Sequence, residues 1–120
     1  MLKQELKRYD IILVDFGNDT MGSEQHGTRP AMIIQNDTGN KHSGTTIVMP
    51  LTSNLNKNAN FPTHTLIKKG KGKGLTSDSI VLGECMRQIS EMRIVKFLGR
   101  ITDEKEKAEI RRIYLANFGE

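Results

Sequence analysis

Short apolar runs rich in β-branched residues recur along the chain, and each is bounded by glycine-, asparagine- or lysine-rich segments. Runs of this length and composition are typical of β-strands. Pro50 lies inside one run and indicates a sheet edge or a bulge there, because proline cannot donate to a strand ladder. The predicted strands cover residues 9–16, 31–36, 45–52, 61–68, 79–84 and 93–101.

The segments between these runs are polar and carry the residues that favour turns. Residues 37–44 predict a turn-rich break, residues 53–60 a mobile loop, and residues 68–74 a flexible basic loop. Arg29 precedes a proline, which disfavours helical dihedral angles and makes the residue extended. We therefore place Arg29 at the entrance of the second strand.

The end of the chain follows a different period. Ile110, Ile113, Tyr114 and Phe118 recur at the spacing of one helix face. Thr102 can cap this helix, with acidic residues in the first turn and arginines later, as the helix dipole favours. We interpret the apolar stripe as a face packed against the core.

Many short strands followed by one terminal helix predict a mostly β fold, a small antiparallel β-barrel with helical additions. At 120 residues, and without an internal repeat, the chain makes a single domain spanning residues 1–120. Its hydrophobic fraction of 36% is low for this length, which favours burial of further surface in an oligomer.

Charge is unevenly distributed. The chain has 18 Lys and Arg against 14 Asp and Glu, and no acidic residue occurs from Thr38 to Ser77. A positive field concentrated in this way suits a polyanion such as nucleic acid, although lysines that only solubilise loops would give the same pattern. The lysines of this segment are Lys41, Lys57, Lys68, Lys69, Lys71 and Lys73.

The cysteine and histidine content gives little support for disulfides or metal sites. Cys85 is the single cysteine, which excludes an intrachain disulfide, and we interpret it as a structural thiol. One cysteine with three scattered histidines has no zinc-ligand spacing, and there is no carboxylate cluster for magnesium. Without a signal-peptide core or a long apolar run, we expect a cytoplasmic protein with no cofactor and no membrane contact.

Two residues at strand ends suit phosphate chemistry. A guanidinium such as that of Arg29 can bind two phosphate oxygens and stabilise charge that develops on them. The hydroxyl of Thr52, at the end of the third strand, can donate to the same oxygens. From the residues alone, Arg29 could equally be a strand-end residue paired with Glu24.

Three blocks of sequence resemble the MazF/PemK/Kid family of toxin endoribonucleases: GSEQHGTRPAMIIQND (22–37), TTIVMPLTS (45–53) and FPTHTLI (61–67). The resemblance implies an SH3-like barrel that acts as a homodimer. It also implies metal-independent cleavage of single-stranded mRNA at short sequences through the RNA 2′-hydroxyl, leaving 2′,3′-cyclic phosphate and 5′-hydroxyl ends. The partner that it implies is a cognate antitoxin with a disordered, acidic tail.

Carried over residue by residue, the resemblance makes Arg29 and Thr52 the catalytic pair, and Glu84 is the candidate for a supporting base. Ser23 stands where the Kid-like branch has a loop histidine, and Leu82 and Glu84 stand where it has arginine and aspartate. These departures favour the Arg/Thr arrangement. The RNA-binding candidates are Ser23, Gln25, His26, Asn36, Lys57, Phe61, Arg87 and Gln88.

Two other functions fit the same fold. The chain could be a non-catalytic RNA-binding barrel, or a toxin directed at DNA gyrase. Retention of both Arg29 and Thr52 favours the ribonuclease. A cleavage assay separates the three, because a gyrase inhibitor leaves RNA intact and produces DNA breaks.

Overall fold

The computed structural model describes residues 5–17, 27–56 and 61–119, and this part of the chain contains seven strands, two α-helices and three 3₁₀ turns. The strands are β1 (Asp10–Asp15), β2 (Thr28–Ile33), β3 (Thr45–Thr52), β4 (His64–Ile67), β5 (Ser79–Leu82), β6 (Arg87–Ser90) and β7 (Ile94–Arg100). The helices are α1 (Asp37–His42) and α2 (Glu104–Ala116), and the 3₁₀ turns are Lys71–Lys73, Gly83–Cys85 and Glu91–Arg93.

All strand pairs are antiparallel, and the strands run in the order β4-β5-β3-β2-β1-β7. Strand β6 pairs with the first half of β3, outside this path. Within the described residues the ladder does not close on itself, so the sheet is barrel-like but open. The predicted mostly β fold with a C-terminal helix is confirmed. No helix among the described residues has the length and apolarity to span a membrane.

Strand β1 is buried on both faces. Ile11 belongs to a core cluster that includes Ile110 and Ile113 of α2. Its neighbour Ile12 belongs to a second cluster on the opposite side of the sheet, with Val48. Successive side chains of a strand point to opposite faces, so the unbroken apolar run of β1 fills both cores at once.

Strand β3 lies in the interior of the sheet, but within the described residues Pro50 has a ladder partner on one side only, which makes a local edge there. One side of β3 pairs Pro50 with Ala31 of β2. On the other side, residues 45–48 pair with β6 and residues 51–52 pair with β5. Pro50 falls where β3 changes partner, and there the missing N–H costs no ladder hydrogen bond.

Two strand boundaries differ from the sequence prediction. Strand β2 starts at Thr28 and ends at Ile33, because Asn36 is the N-cap of α1 and its side chain accepts from the Gly39 N–H at 2.8 Å. The predicted turn 37–44 therefore contains a six-residue helix. Strand β5 ends at Leu82, and the short strand β6 that follows was not predicted.

Helix α2 confirms the core-facing stripe in part. Ile110 and Ile113 are fully buried, but Phe118 lies beyond the helix end and is 67% exposed. The N-cap is Asp103, whose carboxylate accepts from a first-turn N–H at 3.0 Å, so the predicted cap at Thr102 is wrong by one residue. An aspartate caps as well as a threonine does, and composition alone does not separate adjacent candidates.

The last residues of the basic loop 68–74 make specific contacts with the rest of the fold. The Lys73 ammonium donates to Glu106 of α2 at 2.8 Å and to the carbonyl of Lys68 at 3.0 Å. Gly74 has φ +68°, and a Cβ at this position would collide with the carbonyl of Leu98. The end of the loop is therefore locked against β7 and α2.

Candidate active site

Arg29 and Thr52 meet at one end of the sheet. The β2–β3 ladder ends at the pair Ala31–Pro50, and Arg29 and Thr52 each lie two residues beyond that pair on their own strands. Residues two apart on a strand share a face, so both side chains lie on the same side as that pair. Together they line a pocket of about 250 Å³. The pocket thus brings together the two residues that the sequence analysis singled out.

The pocket has two walls. The first consists of residues 28–30 and 51–53, and the second consists of residues 74–77 and Ser79. Among the described lining residues, Arg29 is the single charged side chain, and six others carry hydroxyl groups. A cation surrounded by hydrogen-bond donors, with no carboxylate in the described lining, suits a phosphate.

The two central side chains are held differently. Thr52 is 9% exposed, and its Oγ1 accepts from the Asn54 N–H at 3.1 Å. A hydroxyl that accepts one hydrogen bond can still donate another, so Thr52 can donate into the pocket. Arg29 is half-buried, and its backbone pairs with Val14 of β1.

Glu84 lies outside this pocket, in a separate polar cluster. Its carboxylate oxygens contact the Thr63 hydroxyl at 2.9 Å and the His64 Nε2 at 2.9 Å. Burial works to raise the pKa of Glu84, but hydrogen bonds from His64, from its own backbone and from Thr63 together hold that pKa below its usual value. A carboxylate with a lowered pKa is a weaker base.

The predicted RNA contacts Asn36 and Phe61 do not line the Arg29–Thr52 pocket. The side-chain oxygen of Asn36 is engaged in capping α1. Phe61 is 50% exposed and packs against the ring of His64, with the two centroids 5.2 Å apart.

Arg87 and Gln88 lie on β6, which pairs with the first half of β3. The Arg87 guanidinium is 5.4 Å from the centroid of the Phe16 ring. Gln88 donates to the Thr45 hydroxyl at 2.9 Å. Both residues therefore lie along the first half of β3, whereas Thr52 is the last residue of that strand.

The start of the block GSEQHGTRPAMIIQND, residues 22–26, falls outside the described residues. Ser23, Gln25 and His26 lie there, and so does Glu24, the alternative partner of Arg29. Lys57 also lies outside the described residues.

Sequence reasoning missed the second wall of the pocket. Thr76, Ser77 and Ser79 follow the basic loop directly, but nothing in their spacing indicates a site. They reach the pocket because Ile80 of β5 pairs with Thr52. The partnership of His64 with Glu84 was also missed, since the two residues are 20 positions apart. The described residues contain no cluster of three or more histidine, cysteine or acidic side chains that could hold a metal ion.

Comparison with known proteins places this chain in a family. Residues 7–116 match the family described as PemK-like, MazF-like toxin of type II toxin-antitoxin system. The chain is 45% identical over 102 residues to an endoribonuclease MazF from Staphylococcus saprophyticus, covering 85% of this chain and 82% of that protein.

Solved structures share the fold. A MazF from Deinococcus radiodurans superposes with a TM-score of 0.78 at 20% identity, covering 98% of this chain and all of that one (100%). A mycobacterial endoribonuclease in complex with its cognate antitoxin superposes with a TM-score of 0.74 at 18% identity, covering 95% of each chain. With the family match extending over residues 7–116, the chain belongs to the PemK-like, MazF-like toxins of type II toxin-antitoxin systems.

Proposed function

We propose that this toxin is an endoribonuclease that cuts single-stranded mRNA at short sequences. The observation that carries the proposal is the convergence of Arg29 and Thr52 in one pocket. The 45% identity to an endoribonuclease MazF supports the same reaction class.

The chemistry that fits the pocket is an internal transfer within the RNA. The 2′-oxygen attacks the adjacent phosphorus while the bond from phosphorus to the 5′-oxygen breaks. The 2′-hydroxyl gives up its proton, and the leaving 5′-oxygen gains one. The products are a 2′,3′-cyclic phosphate and a 5′-hydroxyl, and no metal ion takes part in the step.

Arg29 and Thr52 take different roles in this step. The attack adds negative charge to the non-bridging oxygens, and the Arg29 guanidinium stabilises that charge. Thr52 donates a hydrogen bond that orients the phosphate. Glu84 has no support as the base, since it lies with His64 outside the pocket and its pKa is lowered.

An RNA with a single 2′-deoxy nucleotide at the cut site tests the internal nucleophile. We expect it to be inert, while the all-ribose control is cut and yields a cyclic phosphate. EDTA should leave the rate unchanged. Cleavage of the deoxy substrate would rule out the mechanism.

The two alternative functions, RNA binding without cleavage and inhibition of gyrase, give different results when the same protein is assayed with the all-ribose control. A non-catalytic RNA-binding barrel binds the all-ribose control without cutting it. A gyrase-directed toxin leaves the control RNA intact and produces DNA breaks when gyrase and plasmid are added.

The proposed assembly is a homodimer. Leu66 of β4 is exposed, as are Leu115 of α2 and Phe118 just after that helix. Helix α2 packs beside β4, so the three apolar side chains lie on neighbouring elements. A second copy of the chain would remove this apolar surface from water.

The proposed inhibitor is a cognate antitoxin with a disordered, acidic tail. Such a segment matches a basic surface and becomes ordered as it binds. We expect the tail to occupy the RNA site, and inhibition should therefore be competitive with RNA in steady-state kinetics.

A further inference from the structure

Thr76 and Ser77 are exposed at the Arg29–Thr52 pocket, and their hydroxyl groups are available to a bound molecule. Both residues line its second wall. Within the described part of the chain, neither side chain makes a hydrogen bond. Hydroxyl groups can donate and accept, so each can satisfy a polar edge of a bound molecule.

The residues around this pair are anchored. Leu75 is buried, at 7% exposed, and Ser79 is 5% exposed with its hydroxyl donating to the Ser77 carbonyl at 3.1 Å. The carboxylate of Asp78 accepts from the Lys69 N–H at 2.8 Å. Two exposed hydroxyl side chains are thus presented by a backbone that is fixed on both sides.

A buried ion pair joins the start of the second wall to α2. Lys73 and Glu106 form an ion pair at 2.8 Å, with both side chains about four-fifths buried (20% and 21% exposed). A Cβ on Gly99 of β7 would collide with the backbone of Lys73. The second wall is therefore held against β7 and α2, in addition to the pairing of Ile80 with Thr52.

We propose that Thr76 and Ser77 determine which base is accepted in the nucleotide next to the scissile phosphate. The inference rests on the proposed ribonuclease function. The pocket, at about 250 Å³, is smaller than the ~300–1,000 Å³ that encloses a whole drug-sized ligand, and it holds a phosphate with part of one nucleotide. With the phosphate against Arg29 on the first wall, the adjoining base edge faces the hydroxyl groups of the second.

The test compares the cleavage motif of the dimeric full-length protein with those of two variants, Thr76→Val and Ser77→Ala. Sequencing of the 5′ ends from a long RNA digest gives the base preference at every position around the cut. Losing one hydrogen bond should reduce the preference at a single position adjacent to the cut by ~2- to 10-fold. Thr38→Val is the matched control, because Thr38 is exposed on α1 and does not line the pocket.

Each outcome is decisive. Relaxed preference at one position beside the cut, in either variant but not in Thr38→Val, supports the proposal. An unchanged motif overturns it, and so does an equal slowing at all sites, which would assign the wall to the phosphate rather than to a base. A wild-type protein that leaves RNA intact would overturn the ribonuclease function itself. Thermal unfolding of each variant verifies that the fold is retained.

Discussion

At the scale of single residues, strand pairing fixes the backbone around Arg29, which carries the positive charge of the pocket. Pro30 keeps the preceding residue extended and lies opposite Leu13 of β1, while Arg29 itself lies opposite Val14. This pairing fixes the backbone position from which the guanidinium extends. Preorganised charge of this kind acts mainly on the transition state, so its removal should change the rate more than the fold.

We therefore expect Arg29→Ala to reduce the single-turnover cleavage rate of a fluorescent RNA by at least ~10²–10³-fold. Thr52→Ala should slow cleavage strongly as well, because it removes the hydrogen bond that orients the phosphate. Both variants should retain wild-type circular dichroism and bind RNA. Arg111→Ala, which removes an exposed arginine of α2 outside the pocket, is the control. Comparable losses in all three variants would contradict the assignment.

Glu84 should make stability depend on pH. Its pKa is lowered on folding, since the hydrogen bonds from His64, its own backbone and Thr63 outweigh burial. A lowered pKa means that the stabilisation is fully present above the unfolded value, near 4.5, and is lost as pH falls through the folded value. Urea denaturation should show wild type more stable than Glu84→Gln at pH 7, with the difference narrowing below about pH 4.5.

The pKa of Asp10 is shifted in the opposite direction to that of Glu84. This carboxylate is 1% exposed, and burial raises its pKa despite the backbone hydrogen bond from Lys7 and the charge of Arg100. The difference in stability between wild type and Asp10→Asn should therefore shift in favour of wild type as pH falls. If the difference for Glu84→Gln stayed constant with pH while that for Asp10→Asn changed, the lowered pKa of Glu84 would be contradicted.

At the scale of elements, the turn that carries the second pocket wall depends on one glycine. Gly74 has φ +68°, and an added Cβ would meet the Leu98 carbonyl. Gly72, two residues earlier in the same loop, has open space around it. The two positions are a matched pair within one turn.

Gly74→Ala should lower the free energy of unfolding by more than ~1–2 kcal/mol, the cost of a left-handed residue, because the collision adds to it. Gly72→Ala should change it by less than ~1 kcal/mol. Chemical denaturation of both variants measures the difference. Equal effects would mean that the loop is not locked against β7.

The sequence predicted the elements that have a strong local signal. The predicted strand 45–52 has the same bounds as β3, because an apolar stretch with clear borders can be recognised from its local sequence alone. Strand β6 was missed because its four residues include two exposed ones and only one that is buried. Thr76 and Ser77 were missed for another reason: they reach the pocket through the long-range pairing of Ile80 with Thr52, and no local pattern encodes that contact.

At the scale of the whole molecule, the acid-free segment is less uniform than its charge suggests. Lys68, Lys69 and Lys71 are exposed, whereas Lys73 is committed to Glu106. Exposed lysines that neutralise phosphates release counterions from RNA, and each such contact steepens the dependence of binding on salt.

Replacing Lys69 and Lys71 with glutamine should therefore flatten the log–log salt dependence of RNA binding by up to ~0.7 per lost contact with a single strand. Lys96 and Lys105 are exposed on β7 and α2, and the same double replacement there should leave the slope unchanged. Fluorescence anisotropy at several salt concentrations measures both slopes. Identical slopes in the two double variants would mean that the basic loop only solubilises the protein.

The pairing of β1 with β7 has a consequence for synthesis on the ribosome. Residues 10–14 pair with residues 94–100, and the ion pair of Lys73 needs Glu106 of α2. Translation proceeds at ~5–20 residues per second. For several seconds, therefore, a nascent chain already contains Arg29 and Thr52 but not yet β7 and α2, which complete the fold around them. A chain released before residue 94 would lack both β7 and α2. A toxin gene interrupted at that point should therefore be harmless to its cell.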